Sequence, residues 1–229
     1  MTVLTSLTTG FGDADRAASI DRMLLVALGF QIALAIPSLA ALLIDDRLLN
    51  GISVWIKPLK FQASLIVLIG TLMVLSPMIS PEARAGRGLW LATLTVAVTA
   101  IAEIAYITLQ AARGRASHFN SDTPLEAMAY SIMGIAAVLL VLACLVYGVY
   151  LLVKPAADAQ FGFRLGGALG LILGSLLTIV TALALGSGQI AGPGHWVGGI
   201  RTDADGLWLL GWSRTGGDLR VPHFFATHL

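Results

Sequence analysis

Hydrophobic and polar residues follow one another along this chain in long blocks. Five blocks of about 20 or more mostly apolar residues are separated by shorter polar stretches. A helix of about 20 apolar residues is long enough to cross the hydrocarbon core of a bilayer. The pattern therefore predicts five transmembrane helices, at residues 23–44, 61–80, 89–112, 127–153 and 165–185.

The remaining residues divide into two polar stretches and a short apolar one. Residues 1–21 form a polar N-terminal segment, and residues 186–222 form a long extramembrane loop that is rich in Gly, Trp and charge. Residues 222–229 are apolar, but so few residues extend only about 12 Å as a helix, well short of about 30 Å. We interpret them as the start of a truncated sixth span rather than as an interfacial half-helix. Residues 1–229 are thus predicted to form one all-α helical bundle in the membrane.

Composition supports this class of protein and excludes others. Hydrophobic residues make up 57% of the chain and charged residues only 12%, whereas soluble domains carry about 25% charged residues. These proportions exclude a soluble globular enzyme. The formal net charge of +1 gives no basic field for a nucleic-acid partner. The single cysteine, Cys144, has no second cysteine with which to form a disulfide within the chain.

The connections between the predicted helices fall on two faces of the membrane. We call side A the face that holds the N-terminus, 80–88 and 154–164, and side B the face that holds 45–60, 113–124 and 186–222. Six Lys and Arg residues lie on side A and eight on side B, so the positive-inside rule is nearly balanced. Because the side-B cations lie inside polar motifs and are candidates for a site, we place side A and the N-terminus in the cytoplasm.

The third predicted helix carries a stripe of polar residues. At 100° per residue, Thr99, Glu103, Tyr106 and Gln110 lie within about 60° of arc. An ionisable residue inside a membrane is costly and usually faces the interior of a helix bundle. We therefore predict that Glu103 faces inward with Tyr106 and Gln110, and that it acts as a buried acid, base or ligand. The alternative is a protonated acid that only packs against a neighbouring helix.

Side B collects the other candidate residues, including all four histidines. The candidate metal ligands are His118, His195, His223 and His228. The candidate ligand-binding residues besides Tyr106 and Gln110 are Lys57, Lys60, Arg113, Arg115, Asn120, Asp218 and Arg220. Such residues suit three roles: binding of a transition metal or haem b, binding of an anionic headgroup or phosphate, or an ordinary structural network. The chain contains no HExxH or CxxC motif to favour the first.

Glycines recur every four residues in the fifth predicted helix, at Gly162, Gly166, Gly170 and Gly174. Small residues at this spacing let two helix backbones approach closely in lipid. The repeat predicts a close packing face, either within the chain or against a partner subunit or a second copy.

Three strings of the sequence carry a resemblance to a known family. They are WIKPLKF from Trp55, QAARGRASHFN from Gln110 and GGDLRVPH from Gly216. From Trp55 onward the chain resembles a family of uncharacterised multi-pass bacterial membrane proteins. The resemblance implies a bacterial cytoplasmic membrane and a further apolar stretch beyond the last histidine, and it implies no activity.

Three functions follow from these patterns. The leading prediction is a metal- or haem-binding membrane protein with a redox or hydrolytic role. The second is a non-catalytic subunit or assembly factor of a larger membrane complex. The third is a carrier or lipid-binding protein for an anionic ligand. Whether the protein is an enzyme stays open.

Overall fold

The structure, a computed structural model, describes residues 3–190, 192, 194–208 and 210–229, with side chains from residue 15 onward. The helices are α1 (Val3–Ile44), α2 (Ile56–Leu75), α3 (Pro81–Ala85), α4 (Arg87–Ala112), α5 (Pro124–Val153), α6 (Phe161–Gly186) and α7 (Arg220–Thr227). The strands are β1 (Leu48–Leu49), β2 (Ile52–Ser53), β3 (Trp196–Val197) and β4 (Gly217–Asp218). A short 3-10 helix, Ser76–Met78, follows α2.

Five helical segments are long and apolar enough to cross a bilayer. They are Asp15–Ile44, Ile56–Met78, Arg87–Ala112, Pro124–Val153 and Phe161–Gly186. The predicted all-α fold and its five spans are confirmed, and the chain is an integral membrane protein.

All five long helices begin earlier than the hydrophobic pattern predicts, and the difference is largest for α1 and α2. Helix α1 begins at Val3 and so includes most of the polar segment 1–21. Helix α2 begins at Ile56 rather than at residue 61. Pro58 is tolerated there because the first turn of a helix has no internal partner for a backbone N–H. As a consequence, Lys57 and Lys60 are part of the helix and project from its first turns.

The helices pack side by side in an order that differs from the chain order. Helix α1 packs against α2 and α4, α4 also packs against α2 and α5, α5 packs against α6, and α6 packs against α7. Fully buried side chains between them include Leu24, Ile69, Ile104 and Tyr147. Large apolar side chains on the outer surface remain exposed, as expected where helices face lipid.

The structure brings together the connections that were assigned to each face. On side A, Ile79 pairs with Pro155 as an isolated β-bridge. On side B, Arg47 Nη1 donates a hydrogen bond of 3.0 Å to the carbonyl oxygen of Ala112. The backbone N–H of Asp203 donates to the carbonyl oxygen of Asn50 over 3.0 Å. The long segment after α6 is therefore folded onto the loop between α1 and α2.

A tight hairpin provides the surface for this docking. Strands β1 and β2 are joined by Asn50 and Gly51, whose φ angles are 55° and 85°. An Asn-Gly pair adopts such left-handed conformations readily. A Cβ atom on Gly51 would lie 2.6 Å from the Cβ atom of Ala204, so the close approach of the two segments requires glycine.

Candidate functional site

The polar stripe of α4 faces the interior of the bundle, as predicted. Glu103 is 8% exposed, Gln110 is fully buried, and Thr99 is buried beside them. The Oε1 atom of Glu103 and the hydroxyl of Tyr106 are also buried, and neither has a hydrogen-bond partner within the described part of the chain. A buried polar atom without a hydrogen-bond partner costs free energy of folding, so these two groups are available to a bound molecule.

Lys57, in the first turn of α2, is the cation that interacts electrostatically with Glu103. No ion pair within 4.0 Å joins Lys57 to any carboxylate among the described residues. Its Nζ atom lies over the ring of Phe61, 5.8 Å from the ring centroid. Lys57 and Glu103 therefore interact through their charges, and neither has a direct polar partner among the described residues.

His118 lies in the loop between α4 and α5, next to Lys57. Its ring centroid is 5.7 Å from that of Phe61 and 6.0 Å from that of Tyr130. Burial, together with the charges of Lys57 and His223, holds the pKa of His118 well below its usual value of 6.5. His118 is therefore a neutral imidazole at neutral pH.

Lys60, one helical turn after Lys57, also lacks a carboxylate partner within 4.0 Å among the described residues. Its Nζ atom donates a hydrogen bond of 3.0 Å to the carbonyl oxygen of Leu210. A carbonyl oxygen accepts a hydrogen bond but carries no full charge. Lys57 and Lys60 are thus two neighbouring cations that no described carboxylate neutralises directly.

Four of the predicted ligand-binding residues instead hold the loop between α4 and α5. Arg113 Nη1 donates to Gln110 Oε1 over 2.7 Å, and Arg115 Nη2 donates to Glu126 Oε2 over 2.7 Å. Gln110 Nε2 and Asn120 Nδ2 both donate to the carbonyl oxygen of Ala116. These contacts use Gln110, Arg113, Arg115 and Asn120 within the chain, and their role in binding a ligand stays a prediction.

Arg220 likewise has its partners within the chain. Its Nη2 atom donates to Asp203 Oδ1 over 2.8 Å, and its Nε atom donates to Asp218 Oδ1 over 2.9 Å. The Nε2 atom of His195 lies 3.3 Å from Asp203 Oδ1. This network fixes residues 194–208 and 210–219 over the end of the bundle, and we call those residues the side-B cap.

The two carboxylates of this network keep lowered pKa values. Burial alone would raise the pKa of Asp203, but the hydrogen bond from His195 and the adjacent Arg220 charge lower it overall. Burial also works against ionisation of Asp218, and the hydrogen bonds from Arg220 and from the backbone N–H of Ser213 outweigh it. Both side chains are therefore ionised at neutral pH and hold the cap through Arg220. A role of Arg220 and Asp218 in binding a ligand stays a prediction.

The histidines do not gather into the predicted set of metal ligands. His195 belongs to the side-B cap, while His223 Nδ1 lies 3.1 Å from Thr181 Oγ1 and His228 Nε2 lies 2.8 Å from Ser64 Oγ. Among the residues that the structure describes, there is no group of three or more His, Cys, Asp or Glu side chains that could hold a metal ion. Two grooves of about 400 and 560 Å³ lie elsewhere, and no histidine lines either of them.

In the glycine repeat of α6, the second two glycines lie close to another part of the backbone. A Cβ atom on Gly170 would lie 3.1 Å from the carbonyl oxygen of Leu229, and one on Gly174 would lie 3.2 Å from that of Ala226. The prediction of close backbone approach at Gly170 is therefore confirmed, with α7 and the residues after it as the neighbour. A Cβ atom on Gly162 or Gly166 would have nothing within 4 Å, so a partner subunit at those two positions stays a prediction.

Sequence reasoning missed Glu126 and Asp203. Glu126 had a local signal, since Thr123 and Glu126 have the spacing of a capping box and the N–H of Glu126 donates to Thr123 Oγ1 over 3.2 Å. Asp203 had none, because its partners His195 and Arg220 are brought to it by the fold of the whole cap.

The fold and these contacts define an integral membrane protein with an interior polar site at the side-B end of its bundle. Comparisons with family models, with curated proteins and with solved structures find no match to the chain. The argument for function therefore rests on the site, whose groups without direct partners are Lys57, Glu103 and Tyr106, with Lys60 and His118 beside them.

Proposed function

We propose that the protein binds an anionic group, a carboxylate or a phosphate, at this side-B site, as a carrier or a lipid-binding protein. The observation that carries the proposal is the pair of neighbouring cations, Lys57 and Lys60, which have no carboxylate within 4.0 Å among the described residues. The three arginines among the site candidates, Arg113, Arg115 and Arg220, each have a carboxylate within 4.0 Å.

The surroundings of the two lysines favour an anionic guest. The buried hydroxyl of Tyr106 has no partner and is able to donate a hydrogen bond to an oxygen of the guest. His118 is neutral and adds no charge. A charge-assisted hydrogen bond from a lysine to an anionic oxygen is about twice as strong as one between neutral groups. Metal or haem binding has less support, because the four histidines have separate partners.

Binding of simple anions to the purified protein in neutral detergent tests the proposal. Titration calorimetry with methanesulfonate, acetate and inorganic phosphate is expected to detect binding of at least one of them. Lys57→Gln removes a charge-assisted hydrogen bond, so the Kd should rise about tenfold or more. Lys154→Gln, an exposed lysine on side A, is the matched control and should leave the Kd unchanged.

A second arm of the experiment distinguishes a soluble anion from a lipid headgroup. Vesicles that contain phosphatidylglycerol are compared with vesicles of phosphatidylcholine alone, with the protein reconstituted in each. If the natural ligand is a lipid, phosphatidylglycerol should weaken methanesulfonate binding by competition. Equal binding of the anions by wild type and Lys57→Gln, or no binding of any anion, would overturn the proposal.

The half of the glycine repeat that faces open space supports a second candidate, a subunit of a larger membrane assembly. Gly162 and Gly166 line a groove of about 560 Å³ between α2 and α6, together with Gly70 and Thr71. A helix with small residues would fit closely there. Light scattering of the detergent complex tests the case of a second copy: Gly166→Leu should lower the mass, whereas the control Gly29→Leu on α1 should not.

A further inference from the structure

When Glu103 is ionised, the cations and carboxylates of the proposed anion site and of the network around Arg220 are equal in number before a ligand enters. Lys57 interacts with cations and carboxylates from α2, α4, α7 and the side-B cap. The Lys, Arg and carboxyl side chains of this cluster and of the network around Arg220 are three cations and three carboxylates: Lys57, Lys60, Arg220, Glu103, Asp203 and Asp218. The attraction between Lys57 and Glu103 is part of this balance.

An anion that enters the cluster alone would leave it with a net negative charge. An uncompensated charge in surroundings that exclude water costs several kcal/mol. The anion would also take over the electrostatic interaction of Lys57 and leave the Glu103 carboxylate without a nearby counter-charge. Entry of a proton together with the anion removes both costs.

The contacts identify which carboxylate accepts that proton. Asp203 and Asp218 are bound by Arg220, and their lowered pKa values show that they hold their charge firmly. Glu103 is only 8% exposed, and its Oε1 atom has no hydrogen-bond partner within the described part of the chain. Protonation of Glu103 would therefore break neither an ion pair nor a hydrogen bond among the described residues.

We infer that each anion bound at Lys57 is accompanied by one proton, which passes from water to the carboxylate of Glu103. This inference rests on the proposed function. It makes Glu103 the group that couples anion binding to proton uptake. The neighbouring ionisable groups are Tyr106 on the same helix, Lys57 and Lys60 on α2, and His118 in the following loop, with His223 of α7 facing His118.

The dependence of anion binding on pH tests this inference. Methanesulfonate serves as the probe because its charge is constant between pH 6.5 and 8.5. His118 has a pKa well below 6.5 and stays neutral over this range. A change in the charge of Lys57 or His223 would also give a slope, so the Glu103→Gln variant is needed to assign the proton. If one proton enters with each anion, the Kd of wild type should rise by up to tenfold for each unit of increasing pH. Calorimetry in Tris and in imidazole, whose ionisation enthalpies differ, then counts the protons directly.

Two variants assign the proton to its acceptor. Glu103→Gln carries no charge at any pH, so its Kd should be independent of pH and lower than that of wild type at pH 8.5. Glu82→Gln, on the exposed surface of side A, is the matched control and should keep the wild-type slope. If Glu103→Gln does not fold, the proton count of wild type still decides whether a proton enters.

The outcomes separate this inference from the proposed function. Methanesulfonate binding without proton uptake would overturn the inference and leave the anion site intact. A slope that persists in Glu103→Gln would overturn the assignment to Glu103. Absence of methanesulfonate, acetate and phosphate binding at every pH would overturn the anion site itself and the inference with it.

Discussion

At the scale of single residues, His118 links the site to the stability of the fold. Its pKa in the folded protein lies well below 6.5, because burial disfavours the charged ring and the charges of Lys57 and His223 oppose it further. The unfolded chain therefore binds a proton at a higher pH than the folded protein does. The contribution of a neutral His118 to stability is complete above about pH 6.5 and declines as the pH falls below that value.

The resulting prediction concerns thermal unfolding between pH 7.5 and 5.5. Wild type should lose stability as the pH falls, by at most about 1.4 kcal/mol per pH unit for a single histidine. His118→Gln should lose less, because glutamine does not titrate, while the lowered pKa of His223 keeps part of the slope. Differential scanning calorimetry in detergent measures the effect. A wild-type slope in the His118→Gln variant would contradict the assignment.

At the scale of elements, α7 is attached to its neighbours by close backbone approach and by polar contacts. Gly174 of α6 leaves room for a carbonyl oxygen of α7, and Gly170 leaves room for that of Leu229, just after α7. Thr178 Oγ1 lies 3.3 Å from Thr227 Oγ1. The ring of His228 reaches Ser64 on α2. Because α7 has only eight residues, these few contacts determine where it lies.

We predict that Gly170→Leu displaces α7, whereas Gly166→Leu, with nothing within 4 Å of its Cβ position, does not. The measurement is disulfide formation between cysteines placed at Thr178 and Thr227 in a Cys144→Ala background. The disulfide should form rapidly in the parent and in Gly166→Leu, and at least tenfold more slowly in Gly170→Leu. Equal rates in the two leucine variants would show that the glycine contact does not position α7.

The helices also show how much of the fold can be predicted from the sequence. Hydrophobic blocks predicted all five spans, and the cost of a carboxylate in lipid placed Glu103 inward. The pattern missed the early start of α2, because Lys57 and Lys60 interrupt the apolar run although Pro58 is compatible with a first turn.

Side-B residues were harder to predict. A sequence shows that Arg115 and Arg220 are cations near a membrane face, but it does not show whether a carboxylate neutralises them. Glu126 and Asp203 do so here, from the next helix and from within the side-B cap. Lys57 and Lys60 can be recognised as cations without a carboxylate partner only after the ion pairs of the arginines are known from the structure.

At the scale of the whole molecule, the side-B cap closes the bundle through ionised groups. The lowered pKa values of Asp203 and Asp218 mean that their contribution to stability is present above the ordinary carboxyl pKa of about 3.9 and is lost as the pH falls below it. We predict that the cap stays in place between pH 5 and 8 and is released near pH 3, while the apolar spans keep their helices.

Hydrogen exchange of the backbone amides in residues 194–208 measures this release, after correction for the intrinsic effect of pH on exchange. Arg220→Gln removes the cation that both carboxylates share, so it should lose amide protection in the cap at pH 7 by tenfold or more. Arg214→Gln, at an exposed arginine of the same segment, is the control and should keep wild-type protection. Full protection in Arg220→Gln would show that the cap is held by other contacts.

The docking of the cap onto the loop before α2 also sets an order of events during synthesis. Lys60 and Leu210 are 150 residues apart, and Thr202 and Asn50 are 152 apart, although each pair is hydrogen-bonded. Chains fold from the N-terminus as they are made, and contacts between distant residues form late. A nascent chain with all five spans inserted still lacks the cap groups that interact with Lys57 and Lys60. The proposed binding site is therefore completed only after residues 202–210 have been made and have docked onto the loop before α2.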